Sequence, residues 1–167
     1  MAGGILKDLK DIRPGSCILW SGDYLISRAI RLCTGSKFSH ASLVTSDPDL
    51  ECAIVEAEAT GLELRELRGL MDNYRGEVWL FTPDTLDDSD VHPIRQFAIK
   101  ECASNCPYDY LGLFANIIKH TSIHARRYFC SAFVWAAWLY RNMVEGTVAP
   151  RPGEIPTRTH GTLERLA

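Results

Sequence analysis

Apolar and polar positions along the chain follow two periods, and their order predicts the elements. After an amphipathic opening, Pro14-Gly15 breaks the chain, and Ser16 to Trp20 (SCILW) reads as a short buried strand before a turn at Ser21-Gly22. Asp23 can cap a helix whose apolar face is Leu25, Ile26, Ala29, Ile30 and Cys33; Gly35 ends it, and Arg28 and Arg31 face outward. Ser39 to Thr45 and Cys52 to Glu58 are β-prone runs around Asp47-Pro48-Asp49, which is turn chemistry and predicts an antiparallel hairpin. Leu62 to Leu67, after Gly61, suggests a third strand, and Glu77 to Thr82, closed by Pro83, a fourth. Strands succeeding one another in this way imply an antiparallel sheet. Asp84 to Asp90 is a solvated loop and helix start; Pro93 fits an early helical position, with Ile94, Phe97, Ala98 and Cys102 on one face, until Pro107 breaks the helix. Leu111, Phe114, Ile117 and Ile118 mark another helix. From Glu145 periodicity is lost among Gly146, Pro150, Pro152, Gly153 and Pro156, so residues 145–167 read as an irregular tail packed on the domain.

The strongest pattern is RRYFCSAFVWAAWLY, Arg126 to Tyr140. Phe133, Val134, Ala137 and Trp138 recur at helical spacing, and Ala132, Trp135, Ala136 and Leu139 leave little polar surface elsewhere, so this helix belongs in the middle of a domain. Cys130 stands where it begins. A thiol in the first turn feels the unpaired amides and positive end of the helix, and Arg126 and Arg127 add to that field; both favour the thiolate. The competing reading is a buried cysteine acting as a small hydrophobe.

Composition narrows the class. With 167 residues, 46% apolar and 23% charged, the chain has material for one buried core and is expected to form a single domain over 1–167. Lys and Arg number 18 against 21 Asp and Glu, a net charge of -3 without a long basic run, which argues against a nucleic-acid binder and leaves peptide, lipid-like or other small substrates. The opening MAGGILKDLKDIRPG lacks a signal-peptide core, and no window approaches the ~20 apolar residues of a membrane span. The expectation is a protein made in the cytoplasm, with export by a signal-independent route as the alternative. The six cysteines, at 17, 33, 52, 102, 106 and 130, read as reduced rather than as a disulfide framework, because four lie in apolar runs.

A thiol hydrolase needs a cysteine deprotonated by an imidazole and a third polar group that fixes the ring. Cys130, His40 and Glu56 supply those types, the first opening a buried helix and the others on paired strands. A hairpin symmetric about Pro48 pairs residues whose numbers sum to 96: Val44 with Cys52, Ser42 with Ile54, His40 with Glu56. Glu58, on the same face, is the fallback carboxylate. His92 and His160 read as solvated. A rival constellation is Cys102 and Cys106 followed by His120 and His124, close to a Cys2His2 zinc spacing, although it falls across two core helices.

Several segments then carry a resemblance. SKFSHASLVT is similar to the Ser-His strand of the circularly permuted papain-like hydrolases related to the NlpC-type cell-wall peptidases, the YiiX-like group among them. RPGSCILWSGDYLISRAIRLCTGS resembles that group's opening strand, turn and helix, AIVEAEATGLELREL the strand bearing its acidic residue, and PYDYLGLF and RYFCSAFVWAAW its tyrosine and cysteine helices. The histidine precedes the cysteine, which is the permuted order. The resemblance spans roughly residues 13 to 140 and rests on the joint order of short motifs. It implies an α+β, papain-like, circularly permuted fold, a small antiparallel sheet packed against helices that include the cysteine helix. By the same match Cys130 is the nucleophile, His40 the base, Glu56 the orienter and Tyr108 the pocket tyrosine, with Tyr110 a near equivalent. No cofactor is implied. Amide hydrolysis, of a cell-wall peptide for example, is the first expected activity; lipid acyl transfer or thioester hydrolysis on the same triad is the alternative. A binding module without turnover, zinc-stabilised in one version, is the non-enzymatic one. Cys17 and Cys33 depart from the aliphatics of the family pattern, and the C-terminal tail matches poorly.

Overall fold

The run SCILW is apolar without interruption because the strand it forms, β1 (Cys17–Gly22), is buried on both faces. Cys17 and Leu19 join one apolar cluster, Ile18 and Trp20 the other. The structure is a computed structural model that describes residues 8–58, 60–104, 106–109, 111–113, 122–123 and 127–167. β1 lies inside a six-stranded antiparallel sheet with β2 (His40–Thr45), β3 (Ala53–Glu58), β4 (Gly61–Glu66), β5 (Gly76–Pro83) and β6 (Gly161–Arg165), in the order β4-β3-β2-β1-β5-β6. The described helices are α1 (Leu25–Thr34), α2 (Leu67–Met71), α3 (Asp88–Ala103), α4 (Cys130–Tyr140) and α5 (Ile155–Arg158).

One face of the sheet, presenting Cys17, Leu19, Ala41, Leu43, Val55 and Phe81, is covered by α3 and α4 through Ile94, Ala98, Phe133, Val134 and Trp138. The other face presents Ile18, Trp20, Val44, Ile54, Val78 and Leu80, packed with Leu9, Ile12, Leu67 and Leu166. α4 is apolar all round and accordingly buried from Cys130 to Trp135 and at Ala137 and Trp138. Its polar atoms are tied down: the Trp138 indole donates to the Gly15 carbonyl at 2.8 Å, the Trp135 indole to Gly146 at 2.9 Å, and the Arg141 guanidinium to Asp90 at 2.8 Å. Asp90 also completes the capping box of α3 with Asp87.

The α+β class and antiparallel sheet agree with the pattern of elements; Tyr24 rather than Asp23 precedes α1, Leu67 opens α2 rather than ending a strand, and the fold differs further in four places. The turn expected at Ser21-Gly22 is strand, because pairing with β5 runs on to Gly22 opposite Gly76. Gly76 has φ +146°, and a Cβ there would stand 2.1 Å from the Ser21 carbonyl oxygen, so the pairing requires glycine. The hairpin of β2 and β3 pairs Leu43 with Val55, Val44 with Ile54 and Thr45 with Ala53, sums of 98 rather than 96. Its reversal centres one residue later because the Asp47 carboxylate accepts from the Asp49 amide and the Asp47 carbonyl from Leu50. The tail over 145–167 is not irregular throughout: β6 pairs with β5 from Trp79 opposite Arg165 to Pro83 opposite Gly161. As an edge strand exposed along its whole length, β6 carries no apolar alternation to betray it.

The fourth difference is α1, which is inverted. Its periodicity predicts an inward apolar face, yet it contains no buried residue. Leu25, Ile26 and Leu32 are 86%, 73% and 83% exposed. Arg31, expected outside, turns in to donate to Ser21 Oγ at 2.9 Å and lies 3.7 Å from Asp23. The helix expected around Leu111 to Ile118 falls outside the described residues beyond Leu113.

Candidate active site

Cys130 is the first residue of α4 and His40 the first of β2, so nucleophile and base meet where two elements begin. The helix N-terminus leaves the first amides of α4 without intrahelical acceptors; the first such bond recorded across the cap is Phe133 to the Phe129 carbonyl. Among the described residues no side chain caps this end. Arg127, expected to strengthen the local field, is exposed, and Arg126 lies outside the described residues.

The imidazole is hydrogen-bonded to Glu56 and shares one cavity wall with the Cys130 thiol. His40 Nε2 stands 3.3 Å from Glu56 Oε1, while Ser42 Oγ donates to the same oxygen at 2.7 Å and in turn accepts from the Trp20 indole at 2.7 Å. The observed register explains this chain: carried outward from its described pairs, it sets Ser42 opposite Glu56 and His40 opposite Glu58. The expected pairing of His40 with Glu56 was therefore two residues out. The face was unaffected, since a slip of two keeps side-chain alternation, and Glu56 reaches His40 along the diagonal. Ser42 and Trp20 were not singled out from the sequence. Ser42 had one available signal, lying two residues from His40 and so on the same strand face.

Burial alone would push His40 toward its neutral form, but the Cys130 thiolate and the Glu56 carboxylate outweigh it and hold the imidazole well above its ordinary value. Glu56, itself buried, is held below the usual carboxylate range because the His40 and Ser42 hydrogen bonds exceed its desolvation. Glu58 goes the other way, raised by burial and the neighbouring Glu56 despite the attraction of His40. Two carboxylates on one strand thus have opposite tendencies.

The three groups open onto a cavity of about 520 Å³. Cys130, His40, Glu56 and Glu58 contribute polar atoms; Trp20, Ile26, Ile30, Leu70 and Leu113 contribute apolar wall. Tyr108 lines it too, where the pocket tyrosine was expected, and pairs with Tyr128 in an isolated parallel bridge beside Cys130; Tyr110 is outside the described residues. Of the rival zinc set, Cys102 and Cys106 are described, with Cys106 Sγ 3.5 Å from Glu101, while His120 and His124 lie outside the described residues.

The six-stranded antiparallel sheet and its helices form a YiiX-like α+β fold. Among solved structures the chain is similar to the metalloprotein YiiX (DUF1105) from Escherichia coli O157:H7, with a TM-score of 0.59 and 20% identity over 75% of this chain and 64% of that one. The chain therefore spans less than two thirds of that protein's length. No family model matches the chain, and no curated protein does.

That neighbour's metal prompts a test of the donor set here. Among the described residues, His40, Glu56 and Glu58 each offer a ligand atom, all within 4.8 Å of one another. Ligand atoms on one tetrahedral ion at about 2.0 Å stand about 3.3 Å apart, which is the separation of His40 Nε2 and Glu56 Oε1. The three ligand atoms lie close enough together to form a candidate cation site. Zinc titrated calorimetrically into the metal-free protein is expected to bind at one equivalent, and Glu58→Gln to weaken it; heats unchanged in that variant would exclude Glu58 from the set.

Proposed function

We propose that this chain is a cysteine hydrolase of the circularly permuted NlpC and papain-like type, cleaving an amide bond through Cys130, His40 and Glu56. One observation carries the reading: a thiol at a helix N-terminus and an imidazole hydrogen-bonded through Nε2 to a buried carboxylate line the wall of one cavity. His40 takes the thiol proton, and the thiolate attacks the acyl carbon as the carbonyl electrons move onto oxygen. Backbone amides at the start of α4 face that oxyanion. His40 returns the proton to the leaving amine as the C–N bond breaks, leaving a thioester. Water, deprotonated by His40, attacks it, and the carboxylic acid and free thiol are released. A divalent cation held by His40, Glu56 and Glu58 would supply Lewis acidity at that wall.

A second reading, lipid-directed acyl transfer on the same triad, is favoured by the apolar wall of Trp20, Ile26, Ile30, Leu70 and Leu113, which suits a hydrocarbon chain better than a charged peptide. The test is labelling with thiol-reactive acyl probes carrying either a peptide or an alkyl chain, with Cys130→Ala as control. Labelling that survives in the control would end both readings.

Glu56→Gln removes one of the groups that hold His40 protonated, so the alkaline limb of the rate profile should move to lower pH and turnover should fall by roughly 10²- to 10⁴-fold. An alkaline limb that stays in place would show that Glu56 does not act on the imidazole. Ser42→Ala is expected to cost less, about tenfold, because Glu56 keeps His40 but loses its 2.7 Å donor.

A further inference from the structure

The outward apolar face of α1 needs an occupant. Leu25, Ile26, Ala29, Leu32 and Cys33 fall at the i, i+1, i+4, i+7, i+8 spacing of a single stripe, and every one is exposed. Leucines more than four-fifths exposed, such as Leu25 and Leu32, are unremarkable singly; five apolar positions in one stripe on a helix with no buried residue are not. We infer that this face docks the protein onto an anionic lipid bilayer.

Charge and continuity select the bilayer over a protein groove. From Tyr24 to Ser46 the chain has Arg28, Arg31 and Lys37 and no Asp or Glu, in a protein whose net charge is -3. Arg31 and Lys37 lean on Asp23 and Glu77, while Arg28 is exposed on the helix and in no ion pair among the described residues. An apolar stripe that holds no anion and is edged by the exposed Arg28 is the pattern of a helix lying in a lipid interface. The stripe also runs into the cavity: Ile26 is 73% exposed and lines it, with Ile30 behind and Cys130 at the same wall. Leu111, 80% exposed, lies between cavity-lining Tyr108 and Leu113. A molecule drawn from the bilayer would pass from the stripe over Ile26 and Ile30 into the cavity that holds the thiol.

The inference does not depend on turnover, so its test uses the full chain carrying Cys130→Ala. That protein is expected to co-sediment with vesicles of phosphatidylcholine mixed with phosphatidylglycerol, more weakly with phosphatidylcholine alone, and less as salt is added. Leu25→Glu with Leu32→Glu should abolish binding, and Arg28→Glu should weaken it about tenfold. Leu32→Trp, which leaves the stripe apolar, should shift its emission to shorter wavelength on the mixed vesicles. Absence of co-sedimentation, equal binding by the double variant, or an unshifted Leu32→Trp emission would overturn the inference. So would a dimer in solution that the glutamate pair dissolves, which would assign the face to a second copy.

Discussion

Replacing Cys130 by alanine is expected to lower turnover on the order of 10⁵-fold, leaving the chain folded. The thiol is buried at the first position of α4, and alanine keeps the helix start while removing the proposed nucleophile. His40→Ala should cost nearly as much, and the double variant scarcely more than either, because groups that act as one unit are not additive. Free cysteine assays make the same point without a substrate. At pH 6 to 7 an alkylating reagent should reach Cys130 before exposed Cys33, although exposure alone favours Cys33. Labelling ordered by exposure, with Cys33 first, would remove the nucleophile reading and leave Cys130 as a core residue.

Trp138→Ala should be the most damaging change away from the cavity, about 3–5 kcal/mol by lost packing, with up to about 1–3 more for the orphaned Gly15 carbonyl. The side chain is fully buried, lies 6.2 Å from the rings of both Phe81 and Trp135, and its indole holds the carbonyl of Gly15 just before β1. A loss of that size takes most of the roughly 5–15 kcal/mol available to a domain. Trp138→Phe keeps most of the packing and drops the hydrogen bond, so urea unfolding should rank it between wild type and alanine. A loss under about 1 kcal/mol for Trp138→Ala would show that α4 is not the core helix described here.

The fold class was legible wherever burial writes a period into the chain. β1 and α4 are apolar because they are buried, and the types and order of Cys130, His40 and Glu56 follow from residues alone. β6 was not legible, since a strand paired by backbone at an exposed edge places no demand on its side chains. Nor could periodicity orient α1: a moment identifies two unlike faces but not which one meets the body, and Ser21 offered a partner to Arg31 rather than to leucine. The hairpin shows the division most closely. Side-chain alternation put His40 with Ser42 and Glu56 with Glu58, and the two pairs share a face because the hairpin register kept an even sum. Which carboxylate touches the imidazole depended on where the Asp47 turn closed and on Trp20 reaching across from β1 to hold Ser42, contacts between strands distant in sequence that only the assembled sheet creates.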